Sequence, residues 1–211
     1  MNVYEEVAHI PLFVHDPRAP SVPGEACDAL TQTTDLCATF LGLFGVTPGP
    51  LVDGVPLRAA RSGARRREAL LYGYFGGAVN VTDGRHTYHR YPPDLRRQEI
   101  HQYTLMPTHI FAPFSVEELA DVRIAGPLPF TKGARVMQVP VIERSPFFDV
   151  YGPGALLEDA TRLYDLAADP GQDRPLPDPA AEARMVGLMT RLMAANHAPP
   201  EAFARLNLAA P

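Results

Sequence analysis

The spacing of apolar residues changes along the 211-residue chain, and those changes mark out its elements. The run Ile10-Pro11-Leu12-Phe13-Val14 is apolar on successive positions and stops at His15-Asp16-Pro17. Such a run predicts a strand buried on both faces, as in a sheet covered by helices. Pro11 fits only near the start of that strand, where a missing N–H costs the ladder least. A Pro/Gly loop from Arg18 to Ala26 follows. Leu36, Phe40, Leu43 and Phe44 then recur at helical spacing, with Thr34 or Asp35 able to cap the helix and Gly45 able to close it. A turn-rich link occupies 47–57. Strand, loop and helix read as the edge of an α/β layer structure, which assigns residues 1–60 to one unit and 61–211 to a second.

In the second unit the period shortens to two. Leu70 to Phe75, Ala78 to Thr82 and Arg85 to Tyr91 read as strands, the last two joined by Asp83-Gly84. Asp-Gly tolerates the positive φ angles of a tight hairpin turn. Pairing outward from it sets Thr82 opposite Arg85, Val81 opposite His86, Asn80 opposite Thr87 and Val79 opposite Tyr88. Alternation then puts Val79, Val81, His86 and Tyr88 on one face, the packed one. Ser115 to Asp121 is a short helix with Ser115 as cap and Glu118 as its box partner. Arg135 to Ile142 is a fourth strand, placed at an edge by Pro140. Leu163 to Leu166 is a short strand or turn. The best helix in the chain is Ala180 to Asn196, with Met185, Leu188, Met189 and Leu192 as its stripe, and Phe203, Leu206 and Leu208 can dock the tail behind it. The second unit therefore reads as an α+β subdomain, an antiparallel sheet of about four strands packed by a C-terminal helix.

Composition removes several function classes. A net charge of −5 leaves no electrostatic footprint for nucleic acid or an anionic membrane. The basic run Arg65-Arg66-Arg67 meets Glu68 at once and reads as a solvated junction. No stretch approaches the roughly 18 apolar residues of a membrane span, and the first residues show no leader pattern, which favours a cytoplasmic reading. Cys27 and Cys37 form neither a disulfide framework nor a zinc spacing, and Cys37 is expected to pack as a small hydrophobe. The 23 prolines are spread along the chain, as many loops and short elements require.

Four stretches, in order, resemble the sulfatase family of the alkaline-phosphatase superfamily. Tyr4-Glu5-Glu6-Val7-Ala8-His9-Ile10-Pro11-Leu12 resembles the segment that leads into a core strand. Thr34-Asp35-Leu36-Cys37 through Gly45-Val46 is similar to the helix that follows, and Asp53-Gly54-Val55-Pro56-Leu57 to the turn after it. Leu163-Tyr164-Asp165-Leu166-Ala167-Ala168-Asp169-Pro170-Gly171-Gln172 resembles the segment before the last helix. Ala38 and Pro56 depart from the family's proline and serine. Phe75 to Gly84, Tyr103 to His109 and Phe130 to Gly133 are similar to a bacterial subgroup of sulfatase-like proteins. The resemblance implies the edge strand and helix of an alkaline-phosphatase-like α/β sandwich, followed by the α+β subdomain.

It also implies a chemistry whose parts are missing here. The family attacks sulfur with an oxidised cysteine (formylglycine) or serine in a C/S-x-P/A-x-R motif, and screens the sulfate with a divalent cation, typically Ca. Cys27 is followed by Asp28-Ala29-Leu30-Thr31 and Cys37 by Ala38-Thr39-Phe40-Leu41, and neither is that motif. No Asp-Asp pair and no Asp-His-Gly-Glu segment occurs. The expectation is a C-terminal region with no catalytic residue, no metal ligand and no bound cofactor, inactive alone, with Met1 internal to a longer protein, a gene-model start or the beginning of a fragment. Its partner is the N-terminal catalytic half in cis, or a separate catalytic chain in trans. A phosphoesterase or phosphonate hydrolase of the same superfamily is the alternative parent.

Other chemistry finds little support. His86 and His89 are three apart on a strand and so point to opposite faces, while His101 and His109 have no carboxylate at ligand spacing. Ser21, Ser62, Ser115 and Ser145 lack the Gly-x-Ser-x-Gly elbow. Asn80-Val81-Thr82 is a formal glycosylation sequon set in a strand. Two residues stand out as substrate-rim candidates. Lys132, the only lysine against 18 arginines, sits in Thr131-Lys132-Gly133, where a flexible ammonium could reach a sulfate or sugar group or simply face solvent. His109, in Pro107-Thr108-His109, is the other.

Overall fold

The computed structural model of the chain describes residues 3–18, 24–64 and 67–210. Ser21 and the first two residues of the basic run lie outside them. Among the described residues, the N-terminal part of the chain holds three helices: a single turn, α1 (Glu5–Ala8), then α2 (Thr34–Leu43) and α3 (Leu57–Arg61). The C-terminus of α2 ends as Gly45 foretold. Gly45 adopts φ +72°, its N–H bonds to Gly42 O at 3.3 Å, and Val46 N–H bonds to Leu41 O at 2.9 Å. Those two bonds satisfy carbonyls that the helix itself leaves open.

Four expectations for this unit need correction. Ile10–Val14 forms no strand: no described residue pairs with it, and Phe13 is 94% exposed. Without a ladder partner an apolar run cannot become a sheet strand. The apolar stripe of α2 also points outward, with Phe40, Leu43 and Phe44 exposed while Asp35 and Ala38 are buried. Cys37 is exposed as well, so it is not a packed hydrophobe. Thr33, not Thr34 or Asp35, occupies the cap position of α2, and it makes no capping hydrogen bond.

Asp35 is committed elsewhere. Its fully buried carboxylate accepts both guanidinium nitrogens of Arg67 at 2.7 and 2.6 Å, together with Gln32 N–H at 2.8 Å and Val55 N–H at 2.7 Å. Burial alone would push this carboxyl up, but the Arg67 guanidinium and the two backbone N–H groups hold it below the usual carboxylate range. The arrangement ties α2, the 53–57 turn and the entry to the second unit to one side chain. Gly54 belongs to the same knot, because a Cβ there would run into Thr34 O.

In chain order the second unit contains β1 (Leu70–Gly73), β2 (Val79–Thr82), β3 (His86–Arg90), β4 (His101–Thr104), α4 (Val116–Leu119), β5 (Arg123–Ala125), β6 (Val136–Pro140), β7 (Arg162–Asp165), α5 (Pro179–Ala195) and α6 (Pro200–Ala204). Two antiparallel sheets result. One has the order β1-β2-β3-β7, the other β4-β6-β5. The four-stranded sheet is thus present, but its fourth strand is Arg162–Asp165. The 135–142 run instead forms the centre of the second sheet. Pro140 is tolerated there because it is the last strand residue and pairs only with His101 of β4, since β5 stops opposite Val136–Gln138.

The β2–β3 register is shifted from the expected one: Val81 pairs with Tyr88 and Asn80 with His89. Gly84 and Arg85, not Asp83 and Gly84, are the central turn residues. Gly84 has φ +91°, and the Asp83 carboxylate accepts Arg85 N–H at 3.0 Å and His86 N–H at 2.7 Å. Only glycine takes that first turn position without strain. The displacement is by two residues, so the faces survive. Val81 and Tyr88 are buried with Leu163 under Met185, Leu188, Met189 and Met193 of α5, and Phe203 and Leu206 close the cluster. Asp178 caps α5 by accepting Ala180 and Ala181 N–H at 3.0 Å each. Ser115 and Glu118 form the expected capping box of α4. Among the described residues, no helix is long and apolar enough to cross a membrane.

The sheet's other face is polar and aromatic, and the N-terminal segment covers it. Tyr4 packs edge-on against His89 (5.1 Å between ring centroids) and Tyr164 (6.3 Å), and its hydroxyl donates to Glu158 at 2.6 Å. Glu5 N–H donates to Gln172 Oε1 at 2.7 Å, and Gln172 Nε2 passes the chain of bonds on to Thr87 Oγ1 at 2.8 Å. The sequon Asn80 lies fully buried on this face, where no glycan could be attached to the folded chain.

Candidate functional site: a polar cleft where the two units meet

Lys132 ends a 3-10 turn (Pro129–Thr131) and holds the left-handed conformation at φ 53°. The turn is fastened by Thr131, whose hydroxyl donates to Ala134 O at 2.7 Å and accepts Leu128 N–H at 3.0 Å. This geometry turns the lysine towards the first unit, where its ammonium meets Asp53 Oδ1 at 2.8 Å. Asp53 is set in place by its neighbour Gly54, which is packed against Thr34.

Asp53, Phe130, Lys132, Ala195, Asn196 and His197 line a cleft of ≈ 100 Å³. The last three come from the C-terminus of α5. There the helix stops with His197 in the left-handed region, and Asn196 Nδ2 turns back to Leu192 O at 2.8 Å. Phe130 backs the cleft and meets Tyr103 edge-on at 5.0 Å. Behind it the Tyr103 hydroxyl donates to Glu201, Gln138 Nε2 donates to that hydroxyl at 3.1 Å, and His101 Nδ1 lies 3.6 Å from Glu201. Burial, and then the bond to Glu201, push the Tyr103 phenol well up. That network fastens α6 to the second sheet.

His109 is not in this cleft. Its Nε2 lies 3.0 and 3.1 Å from the two oxygens of Glu118, and its ring meets Phe114 at 4.4 Å and Phe147 at 5.1 Å. His86 and His89 take opposite faces, as their spacing requires: His86 lies beside Arg184 and Asp83, whereas His89 is buried under Tyr4. Among the described residues no three His, Cys, Asp or Glu side chains are placed to hold a metal ion together.

Of the cleft residues, composition pointed only to Lys132. Asp53 was visible as part of an Asp-Gly turn but not as its partner, and Phe130 and His197 carried no signal, because their convergence is set by tertiary packing. No protein-family model matches the chain, and no curated protein matches it.

Proposed function

We propose that this chain is the C-terminal region of a sulfatase-type hydrolase. It supplies scaffold and a stretch of the substrate rim at Lys132, while the nucleophile and metal ligands belong to another segment. The observation that carries the reading is the outward apolar surface of the first unit. Ile10, Leu12, Phe13 and Val14 are all at least half exposed, and so are Phe40 and Phe44 on α2. These are the two stretches that resemble a core strand and a core helix of the family. Burying a fully exposed side chain of this kind stabilises by roughly 1.5–3 kcal/mol, less for the half-exposed ones, and apolar surface exposed on this scale marks an interface. The occupant proposed is the α/β sheet of the parent hydrolase, with Ile10–Val14 added as a strand at its edge. The cation and formylglycine chemistry of such a parent would then lie wholly outside this chain.

The reading expects no hydrolysis of 4-nitrophenyl sulfate by the purified 211-residue protein, with or without added calcium. Robust, metal-dependent turnover from this chain alone would overturn it.

A further inference from the structure

We infer that the apolar tip formed by Ile110, Phe111, Val150 and Tyr151 is a two-fold contact between copies of this chain. The ten residues 105–114 contain no Lys, Arg, Asp or Glu. Within them Thr108 and Pro113 form an isolated antiparallel bridge, which closes a short loop that carries Ile110 and Phe111. Those two side chains are 81% and 83% exposed. The Phe111 ring lies 6.4 Å from the ring of Tyr151, which is 70% exposed, and Val150 beside it is 56% exposed. None of the four belongs to the apolar surface of the first unit, so this contact goes beyond the reading given above.

The tip is already held in place from below. His109 packs on Phe114 and Phe147 at 4.4 and 5.1 Å, while its Nε2 meets Glu118 at 3.0 Å. Phe147 in turn meets Tyr151 at 6.4 Å, and its carbonyl accepts the N–H groups of Val150, Tyr151 and Gly152 at 3.1, 2.9 and 3.1 Å. Side chains fixed in this way associate with little loss of freedom. Area and charge then favour a second copy as the occupant. An aromatic side chain buries roughly 150–250 Å², so the four at their observed exposure offer on the order of 600 Å². Set against itself across a two-fold axis, the patch removes about 1,200 Å² from water, the lower end for a stable specific interface. A self-contact must also not repel itself. Asp149, next to Val150, is paired with Arg96 at 2.7 Å, and Glu118 with His109 at 3.0 Å. The centre is uncharged and these flanking charges are internally paired, so the same patch can face its own copy without an opposite charge to meet it.

The test is sedimentation velocity of the 211-residue protein across the micromolar range. The expected result is a reversible dimer of twice the 23.0 kDa chain, with no larger species, because a two-fold contact closes on itself. Phe111→Ser weakens the dimer about a hundredfold, since symmetry removes the ring from both sides of the interface. Phe111→Leu keeps most of the apolar area and weakens it less. Both variants keep the parent's unfolding midpoint, because the ring is exposed in the single chain. Phe13→Ser, on the first unit, leaves the dimer intact. The inference fails if the protein stays monomeric throughout, or if open-ended oligomers form in place of a dimer. It fails equally if Phe111→Ser associates like the parent, or if Phe13→Ser dissolves the dimer and so assigns the contact to the first unit. Hydrolysis is not part of the readout, so none of these outcomes bears on the sulfatase reading.

Discussion

Replacing Asp35 by alanine is expected to cost about 3–5 kcal/mol of folding stability, the range for breaking a buried ion pair by removing one partner. The size follows from what is left behind. Asp35 is 0% exposed and accepts four hydrogen bonds, two from Arg67 and one each from the N–H groups of Gln32 and Val55. After truncation Arg67 keeps its charge in a partly buried site, and two backbone donors lose their acceptor. Asp35→Asn keeps the shape but not the charge and should fall between parent and Asp35→Ala. The Asp35→Ala, Arg67→Ala double variant should lose less than the sum of the two singles, because the second change removes the stranded charge. Urea unfolding followed by circular dichroism measures all of these. A loss below about 1 kcal/mol for Asp35→Ala would mean that the knot does not hold the two units together.

The second large effect depends on pH. His89 is 1% exposed, and burial lowers its pKa to about 4, with Arg162 adding to the shift and Glu158 opposing it. The groups around it are the rings of Tyr4, Tyr72 and Tyr164, together with Gln172. An unfolded histidine takes up its proton near pH 6.5, whereas the folded one resists until about pH 4. Between those values the unfolded chain binds more protons, so stability falls as pH drops. The contribution is complete above pH 6.5, shrinks through the window and is gone below about 4, a change of about 3 kcal/mol at 1.36 kcal/mol per pKa unit. Carboxylates such as Asp35, Asp83 and Glu118, held below their ordinary range, lose stability in the same direction at lower pH. The histidine term is therefore read as a difference. His89→Gln should flatten the stability profile between pH 6.5 and 4.5, and a variant with the parent's slope would place the titration elsewhere.

What could be read from the sequence was what local chemistry decides. The Schellman ending at Gly45, the capping box at Ser115 and Glu118 and the apolar stripe of α5 each depend on residues within one or two turns. The faces of the β2–β3 hairpin survived even though its register moved, because a shift by two residues keeps every side chain on its side. The register itself was missed because the Asp83 side chain caps the turn from outside and leaves Gly84 as the residue that needs positive φ.

Pairing between distant segments was not legible. Nothing near Val136–Pro140 says that its partners are β4 and β5, and nothing near Arg162 says that it completes the first sheet. Ile10–Val14 and the outward face of α2 differ in kind from these. Their pattern calls for burial on a partner that the described residues do not provide, and this mismatch is the main support for a larger parent. The cleft was half legible. Lys132 stood out as the single lysine, but Asp53, Phe130 and His197 reach it from positions 53 to 197 only through the fold.

The central claim is that a catalytic segment completes this chain, and the most direct measurement is the genomic sequence immediately upstream of the Met1 codon. The account predicts an open frame, continuous with this one or in an adjacent gene, that encodes a C/S-x-P/A-x-R motif and an Asp-Asp pair. An in-frame stop directly before Met1, with no such gene beside it, would contradict it.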